Sequence, residues 1–303
     1  MITRRQFFMG FGVAGLAGAG TGGYALVESF GSNVTRYQMT PPGWPQDLPV
    51  RLLVLSDLHA CDPWMTAERI AGMVEKVNAL QPDCVLLLGD YVAGHSIGRF
   101  SKPVPHRDWA NALAGLKAPM GVHAVLGNHD WWEDWDVVRR RRGPTKAGLA
   151  LQEAGITLHE NTCVRLAKNG RHFWLAGLGD QWAFPSRRDG RRYFEGTDDL
   201  AGTLGQVSDD APIIMMVHEP DIFASMPARV SLTLAGHTHG GQVRLFGYAP
   251  VVPSRFGQRY VYGHIVEDNR HMIVSGGLGC SAVPVRLGAP PEIVQIDLGT
   301  AQL

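Results

Sequence analysis

Eight polar residues follow five apolar runs of the sequence, and their types are those that bind metals or move protons. They are Asp57, His59, Asp90, Asn128, His129, His218, His237 and His239. Taken singly, an Asp after a strand is usually a turn residue, and a lone His is usually a satisfied polar group. Together they would leave buried polar groups and repelling charges at the ends of core strands unless positive ions lay among them. The set therefore predicts a site for a pair of divalent cations.

The residue types narrow the choice of metal. Carboxylate oxygen and neutral imidazole together suit manganese, iron or zinc, and no cysteine belongs to the set. One residue separates Asp57 from His59, and one separates His237 from His239, so each pair lies on one face of an extended segment. Each pair can therefore reach a common cluster.

The apolar pattern of the sequence predicts the strands and helices that carry these residues. The runs VRLLVL, CVLLL, VHAVL, IIMMV and LTLA are predicted to be buried strands, whose carboxyl ends are where α/β folds bind ligands. Asn169-Gly170 predicts a β-hairpin, and hence a mixture of parallel and antiparallel pairing. A helix is predicted after the N-cap residue Thr66, with one apolar face made of Ile70, Met73, Val74, Val77 and Leu80.

The ordered motifs resemble the signature of the calcineurin-like metallophosphoesterases. They are Asp57-Leu58-His59, Gly89-Asp90, Gly127-Asn128-His129-Asp130, His218 and Gly236-His237-Thr238-His239. The resemblance spans most of the chain, from about Leu53 to Gln242, and includes every ligand position of the family's motif. It implies an α/β fold with two packed mixed β-sheets flanked by helices, which is a four-layer αββα sandwich.

The resemblance also implies a role for each residue. The first metal would be held by Asp57, His59 and His239, the second by Asn128, His218 and His237, and both by the bridging residue Asp90. The two ions would share a hydroxide that attacks the phosphorus of a phosphoester in line. His129 would give a proton or a hydrogen bond to the leaving oxygen. Asp130 would either orient His129 or cap the helix that follows.

Composition limits the other functions. The 303 residues, 45% of them hydrophobic, predict one large domain or at most two, with a sizeable core. Because 28 basic and 28 acidic side chains cancel, the overall charge gives no sign of a polyanion-binding surface, and no nucleic-acid partner is expected. The four cysteines form no Cys-x-x-Cys pair, which argues against a zinc knuckle or a thioredoxin-type motif.

The amino terminus resembles a twin-arginine export signal. Arg4 and Arg5 precede an uncharged run, Phe7 to Val27, that is broken by seven glycines. Ala17-Gly18-Ala19 offers a cleavage site, but the run is also long enough to remain as an anchor, so both outcomes stay open.

This resemblance points to the exported bacterial branch of the family. We predict a signal or anchor over residues 1–30, a proline-rich linker over residues 31–49 and a metallophosphoesterase domain over residues 50–303. The domain would lie in the periplasm, or outside the cytoplasm in association with the membrane or the cell wall.

Aromatic and basic residues near the motifs could select a substrate. Tyr91, Trp131 and Trp132 follow the motifs directly and could wall the pocket, although core packing is the alternative for each. Arg139–Arg142 and the cluster Arg187, Arg188, Arg191 and Arg192 could bind an anionic lipid surface or a phosphorylated substrate, or could simply be solvated.

These features predict a dinuclear-metal-dependent phosphodiesterase that acts outside the cytoplasm on a small phosphoester, of lipid or nucleotide type. One alternative is a pyrophosphatase that acts on a nucleotide-sugar lipid at the membrane surface, which the arginine clusters would favour. Another is a metal-dependent binding protein with weak catalysis, against which the intact His129 argues. The natural substrate, the metal in the cell and the preference for monoester or diester stay open at this point.

Overall fold

The computed structural model describes residue 23, residues 25–94 and residues 101–299. A first six-stranded sheet consists of β1 (Asn33–Met39), β2 (Val50–Leu55), β4 (Cys84–Leu87), β6 (Val122–Ala124), β7 (Thr157–Leu158) and β16 (Glu292–Leu298). The strand order is β1-β16-β2-β4-β6-β7. The run from β2 to β7 is parallel, whereas β16 pairs antiparallel to β2 and parallel to β1.

A second six-stranded sheet consists of β8 (Thr162–Lys168), β9 (Arg171–Gly177), β12 (Ile213–Met216), β13 (Leu232–Ala235), β14 (Gly263–Glu267) and β15 (Arg270–Val274). Its strand order is β14-β15-β13-β12-β9-β8, with four parallel central strands and an antiparallel strand at each edge. Two small hairpin-like pairs complete the strands, namely β3 (Cys61–Asp62) with β5 (Lys102–Pro103), and β10 (Phe184–Arg188) with β11 (Arg191–Glu195).

Six α-helices lie between the strands of the described residues. They are α1 (Ala67–Ala79), α2 (His106–Leu113), α3 (Asn128–Trp132), α4 (Trp135–Arg140), α5 (Lys146–Glu153) and α6 (Leu200–Leu204). Short 3-10 turns occupy Pro220–Ser225, His239–Gly241 and Gly257–Tyr260.

The two sheets pack face to face through their apolar side chains. Leu52 and Leu86 of the first sheet belong to the same buried cluster as Ile214 and Leu234 of the second. Helices α1, α2 and α5 cover the outer face of the first sheet, while Pro220–Ser225 and α6 cover that of the second. Because each central strand is covered on both faces, its sequence consists mainly of apolar residues. The predicted four-layer α/β sandwich with two mixed sheets is confirmed.

Local predictions agree with the structure. Helix α1 begins after Thr66, whose Oγ1 accepts the backbone N–H of Arg69 at 3.1 Å. Its buried residues are Ile70, Met73, Val74 and Val77, as the spacing predicts. Asn169 and Gly170 connect β8 to β9 with positive φ angles of 53° and 77°, which is the backbone that a tight two-residue hairpin requires. The four cysteines carry free thiols.

The predicted linker over residues 31–49 is corrected by the structure. Its first part is β1, an edge strand of the first sheet, which aligns with β16 over seven residues. Its second part is also folded, because Trp44 and Leu48 are buried in the core between the sheets. The alternation of apolar and polar residues in NVTRYQM is compatible with an edge strand, but the following prolines suggested an extended connection.

Most of the signal predicted over residues 1–30 lies outside the described residues; the structure describes only residue 23 and residues 25–30 of it. Residues 25–28 form one helical turn, and Ala25 and Ser29 are buried against the domain. Within the described part of the chain, no helix is both long and apolar enough to cross a bilayer.

Candidate metal centre

The carboxyl ends of five strands from both sheets converge on one buried site. Asp57 and His59 follow β2, Asp90 follows β4, and Asn128 opens α3 after β6. From the second sheet, His218 follows β12, and His237 and His239 follow β13. All seven are buried, with at most 6% of the residue surface exposed. The structure therefore brings together six of the seven predicted metal ligands in two clusters, and Asn128 is buried directly before His129, whose backbone N–H binds Asp90.

A first cluster of ligand atoms is formed by Asp57, His59 and His239, which could hold one ion. The Nε2 atoms of His59 and His239 are 3.0 Å apart, and His239 Nε2 lies 3.5 Å from Asp57 Oδ1. A second cluster is formed by Asp90, His218 and His237. His218 Nε2 lies 3.3 Å from Asp90 Oδ2 and 3.3 Å from His237 Nδ1.

One oxygen of Asp90 lies between the two clusters. Asp90 Oδ2 is 3.5 Å from His59 Nε2 in the first cluster and 3.3 Å from His218 Nε2 in the second. The other oxygen, Oδ1, accepts the backbone N–H of His129 at 2.8 Å. Asp90 is therefore placed to bridge two ions, as the resemblance implies.

The donor atoms fit divalent cations. The Oδ1 atom of Asn128 is buried without a hydrogen-bond partner in the protein, and such an orphaned acceptor is costly unless something positive binds it. The set combines carboxylate, amide and imidazole donors and contains no thiolate, which suits manganese, iron or zinc rather than a structural zinc clamp. The residues present therefore fit a dinuclear centre.

The protonation states of three of the four histidine ligands also favour metal binding, whereas in the fourth, His218, the charge of Asp90 outweighs burial and raises the pKa well above its usual value. Burial lowers the pKa of His59 to about 4 and that of His237 to about 3. Burial, followed by the charges of His59 and Arg286, lowers the pKa of His239 well below its usual value. These imidazoles are therefore neutral near pH 7, and a neutral imidazole has the lone pair that a metal needs.

The two acidic ligands of the clusters respond differently to burial. Burial raises the pKa of Asp57 to about 6. Burial alone would also raise the pKa of Asp90, but the charge of His218 lowers it well below its usual value. The bridging carboxylate is therefore the more strongly ionised of the two.

Five of the ligand residues adopt left-handed backbone conformations. Their φ angles are 54° for Asp57, 47° for His59, 56° for Asp90, 71° for His237 and 54° for His239. For residues other than glycine such a conformation is uncommon, and it is concentrated at functional sites that the surrounding fold holds in place. The loops after the strands are therefore shaped to direct these side chains inward.

Glycines beside the ligands leave the space that the ligands occupy. A Cβ atom at Gly127 would lie 2.5 Å from Asp90 Oδ1 and 2.6 Å from His218 Cε1. A Cβ atom at Gly236 would overlap Ser56 Oγ and lie 2.7 Å from Asp57 Oδ2. The glycines of the sequence motifs are thus required by the close approach of the ligand side chains.

Outer partners hold the imidazole rings in place. The Nδ1 atom of His59 is 3.1 Å from the Val92 carbonyl, and that of His218 is 2.6 Å from the Leu88 carbonyl. Carbonyl partners of this kind fix the tautomer and the orientation of a ligating histidine. The corresponding neighbour of His239 Nδ1 is Nη2 of Arg286, at 3.1 Å.

Arg286 is a residue of the site that the sequence did not single out. It is fully buried, and its guanidinium donates to the carbonyl oxygens of Gly276, Gly279 and Ala289. Arginine is seldom buried without such partners. A single arginine in a loop outside the motifs gives no signal in one sequence.

His129 lies at the edge of the centre. Its ring centroid is 5.2 Å from that of His59, and its Nδ1 is 3.5 Å from Oε1 of Glu133. Burial alone would lower the pKa of His129, but the charge of Asp90 and the carboxylate of Glu133 raise it above its usual value. His129 is therefore suited to hold a proton beside the metal clusters.

Asp130 does not take the position of a partner to His129. Its Oδ1 accepts the N–H groups of Tyr91 and Val92, and its Oδ2 accepts those of Gly127 and Asp90, at 2.9 to 3.2 Å. Because Asp130 is third in α3, its side chain turns back to the residue before the helix and to the loop of Asp90. Asp130 therefore fixes the backbone around Asp90. The imidazole of His129 is approached instead by Glu133, four residues later in the chain.

Two of the three predicted substrate contacts belong to the core instead. Tyr91 is 1% exposed, stacks on Trp109 and donates its hydroxyl to the Val125 carbonyl. Trp131 is also 1% exposed and packs edge-on against Phe184. Successive helical residues point about 100° apart, so Trp131 turns inward where its neighbour Trp132 turns toward His129.

An aromatic stack borders the centre. The ring of Phe194 lies between Trp132 and Trp182, with centroids 5.4 and 4.5 Å away and planes within 12° of parallel. At the two ends of the stack, Trp132 meets the ring of His129 and Trp182 meets that of His237. Trp132 is therefore beside the site as predicted, whereas Trp182 and Phe194 come from segments that carry no motif.

Two more buried carboxyl groups lie behind His218. Glu219 is fully buried, and its carboxylate accepts the backbone N–H of Gln181 at 3.1 Å. Burial and the neighbouring Glu219 raise the pKa of Asp180 well above its usual value. Burial also raises the pKa of Glu219, and both shifts favour the protonated form, which limits the negative charge behind the second cluster.

Comparison with known proteins agrees with this geometry. Residues 50–241 match the family model of the calcineurin-like phosphoesterases. The chain belongs to this family, whose members use a dinuclear metal centre, and it is a metal-dependent phosphoester hydrolase.

Individual relatives cover nearly the whole chain. It is 29% identical over 309 residues to an uncharacterized metallophosphoesterase of Bacillus subtilis (strain 168), YkuE, with 98% of each chain covered. It is 27% identical over 308 residues to phosphodiesterase YaeI of Escherichia coli (strain K12), covering 98% of this chain and 100% of that protein. Among solved structures, a phosphopantetheinyl hydrolase from Mycobacterium tuberculosis aligns with a TM-score of 0.39 at 14% identity, covering 75% of this chain and 89% of that one.

Proposed function

We propose that this hydrolase is a phosphodiesterase that acts outside the cytoplasm on a lipid- or nucleotide-type phosphoester. The observation that supports it most strongly is the single Asp90 oxygen shared by the two ligand clusters, with His129 beside them. When bound, a pair of manganese, iron or zinc ions would supply Lewis-acid activation of a water nucleophile and would neutralise the charge of the phosphate.

The side chains of the protein have separate tasks in this reaction. Asp57, His59 and His239 would hold one ion, and Asn128, His218 and His237 would hold the other. His129, whose pKa is raised, gives its proton to the leaving oxygen of the ester. Glu133 keeps the imidazole of His129 charged and oriented. Asp130 holds the backbone around Asp90, so that the bridging carboxylate stays in position.

The preference for a diester and the location outside the cytoplasm are supported by separate observations. One relative that aligns over the whole chain is named a phosphodiesterase. Arg4 and Arg5, followed by the uncharged run to Val27, have the order of a twin-arginine export signal.

A pyrophosphatase of a nucleotide-sugar lipid is the second candidate, because the two arginine clusters lie together. Arg141 pairs with Glu195 of β11 and lies over the ring of Phe184 at the start of β10. The run Arg139–Arg142 and the hairpin that carries Arg187 and Arg191 are therefore neighbours on an exposed, positively charged surface. Such a surface could bind the phosphates of an anionic lipid.

The test is turnover by purified protein loaded with manganese, iron or zinc. We expect bis(p-nitrophenyl) phosphate to be hydrolysed with a higher kcat/KM than p-nitrophenyl phosphate. His129→Ala should lower kcat by about 10²- to 10⁴-fold and leave the metal content unchanged, because His129 donates a proton and is not a ligand. A preference for the monoester would contradict the diesterase assignment. Turnover of neither ester would favour the binding-protein alternative.

A further inference from the structure

Three segments around the metal centre carry most of the exposed apolar surface. The described residues contain twelve exposed large hydrophobic side chains, and eight of them lie on residues 25–31, 242–252 and 281–288. The eight are Leu26, Val27, Phe30, Leu245, Phe246, Tyr248, Val251 and Val283. Single exposed apolar residues are normal, but a concentration of them on adjoining segments marks an interaction surface.

Hydrogen bonds join the three segments into one surface. The backbone of residues 242–244 pairs with Leu287, through Arg244 N to Leu287 O at 2.7 Å and Leu287 N to Gln242 O at 3.0 Å. The residues on either side of Leu287 bind residues 25–28. The backbone N–H of Arg286 donates to Ala25 O at 3.0 Å, and that of Gly288 donates to the Glu28 carboxylate at 2.9 Å. The apolar residues therefore belong to a continuous face of the domain.

The tip of this face is a tight turn with an aromatic residue at its end. Leu245 and Tyr248 exchange both backbone hydrogen bonds, at 2.9 and 3.0 Å. The two residues between them, Phe246 and Gly247, have φ angles of 51° and 85°. Such turns strongly prefer Asn, Asp or Gly at both positions. A fully exposed phenylalanine at this position costs backbone strain without stabilising the fold, which indicates that its side chain has a partner.

The charge of the face suits a lipid surface. Residues 240–266 contain no Asp or Glu, and neither do residues 269–291. The one acidic side chain on residues 25–31 is Glu28, whose carboxylate already accepts the N–H of Gly288. A face with exposed apolar side chains, one tyrosine and no free carboxylate can enter the headgroup region without burying negative charge.

The position at which the N-terminal uncharged run meets the domain also favours a lipid surface as the partner. The uncharged run that begins at Phe7 ends on this face with Leu26 and Val27, which are 39% and 70% exposed. An export signal that is retained or still in the membrane would therefore join the domain at its apolar face.

The face is also continuous with the loops of the metal centre. The turn segment starts directly after His239 and Gly240, and Arg286 of the neighbouring segment contacts His239. We propose that these three segments form a membrane-docking face, in which the turn of Leu245 to Tyr248 enters the bilayer interface and holds the metal centre against lipid-linked phosphoesters. The lipid-linked substrate rests on the proposed function, whereas the docking itself does not.

The docking can be tested site by site on the full chain. A nitroxide is attached at Phe246→Cys in a Cys163→Ser background, since the other three cysteines are buried. The matched control is Leu149→Cys, an exposed apolar position on α5, which packs near β7 at the opposite edge of the first sheet. The probe is a vesicle of phosphatidylethanolamine and phosphatidylglycerol, and the readout is nitroxide accessibility to oxygen and to a water-soluble nickel complex.

We expect the nitroxide at position 246 to gain oxygen accessibility and lose nickel accessibility when vesicles are added, while position 149 keeps its water-like values. Unchanged values at position 246 in vesicles would overturn the proposal. So would spin–spin broadening at position 246 that grows with protein concentration without lipid, because it would assign the face to a second copy of the chain.

A second measurement separates docking from the proposed chemistry. The double variant Leu245→Asp and Phe246→Asp should lower hydrolysis of a vesicle-embedded lipid phosphodiester by about tenfold or more and leave turnover of a soluble aryl phosphodiester unchanged. The control Leu149→Asp should change neither rate. Equal loss on both substrates would contradict the docking role. If the wild type hydrolyses neither diester, the proposed function fails, and the nitroxide measurement still decides the docking face.

Discussion

Among the single residues of the site, burial and neighbouring carboxylates act on the histidines in opposite directions. Burial keeps His59, His237 and His239 neutral, whereas the charge of Asp90 raises the pKa of His218 well above its usual value. His59, His237 and His239 lose solvent on burial, which lowers the pKa of each. His129 is also shielded from solvent, but Asp90 and Glu133 face it and raise its pKa. The carboxylates that surround a histidine therefore decide how readily it holds a proton.

Replacing Glu133 should reveal its role through the pH dependence of catalysis. Asp90 and Glu133 both raise the pKa of His129, and Glu133→Gln removes the second of these charges, so the imidazole loses its proton at a lower pH. The alkaline limb of the kcat/KM profile should shift to lower pH, and kcat/KM above neutral pH should fall by about tenfold or more.

The control for this prediction is Glu153→Gln, which changes an exposed carboxylate at the end of α5 and should leave the profile unchanged. A uniform loss of activity in Glu133→Gln, with both limbs in place, would show that Glu133 has only a structural role.

At the scale of elements, the loops after the strands carry the strain that function requires. The strands themselves are regular, while the residues just beyond them have left-handed backbones and touch glycines. Asp130 shows how one side chain stabilises such a loop, since it accepts four backbone N–H groups around Asp90 and α3. These four hydrogen bonds favour the ionised carboxylate, but burial and the charge of Asp90 outweigh them and raise the pKa of Asp130 to about 7.

The close packing at Gly236 can be tested by adding one methyl group. In Gly236→Ala the new Cβ would overlap Ser56 Oγ and crowd Asp57 Oδ2, so the loop of β13 must move away from the first cluster. We expect a loss of about 1–3 kcal/mol in the free energy of unfolding, together with weaker metal binding. Both can be measured by urea unfolding and by metal analysis after dialysis.

The matched control is Gly72→Ala in α1, where a Cβ atom meets nothing within 4 Å. It should stabilise the protein by about 0.5–1 kcal/mol, because alanine restricts the unfolded chain more than glycine does. Equal effects of the two substitutions would mean that Gly236 is not constrained by the ligands.

At the scale of the whole molecule, the metal centre joins two sheets. The first sheet supplies Asp57, His59, Asp90 and Asn128, and the second supplies His218, His237 and His239. Bound ions would therefore cross-link the two halves of the sandwich, and ligand binding to the folded state alone raises stability by about 4 kcal/mol at a thousandfold excess over Kd.

Metal-free protein should lose stability in mild acid. Burial lowers the pKa of His59 from 6.5 to about 4 and that of His237 to about 3, so the unfolded chain binds these protons first. Their contribution is complete above about pH 6.5 and is lost as the pH falls toward 4, by up to about 1.4 kcal/mol per pH unit and histidine. His239 and His159, whose pKa values are also lowered by burial, add to the loss. Asp57 and Asp130, whose pKa values are raised to about 6 and about 7, bind protons first in the folded state and partly offset it.

This prediction is checked by urea unfolding of chelator-treated protein between about pH 7 and pH 4.5. Metal-loaded protein should release its ions over the same range, since protons compete for the imidazoles. A flat stability profile for the metal-free protein would contradict the assigned neutral histidines.

The candidate ligands, the strands that carry them and the class of fold could all be predicted from the order of residues. Asp57, Asp90, Asn128 and His218 each follow an apolar run, and a run that ends on a polar residue is informative because burial penalises unpaired polar groups. Local signals such as Thr66 and Asn169-Gly170 also identified a helix start and a hairpin, because these depend on neighbouring residues only.

The side chains that surround those candidate ligands, by contrast, could be identified only from the folded chain. Trp131 and Trp132 are adjacent in sequence, yet one is in the core and the other faces His129, since their directions depend on how α3 packs. Glu133, Arg286 and Phe194 reach the centre from a helix end, a late loop and a hairpin. Contacts between segments far apart in the chain follow from packing, which the order of residues does not reveal.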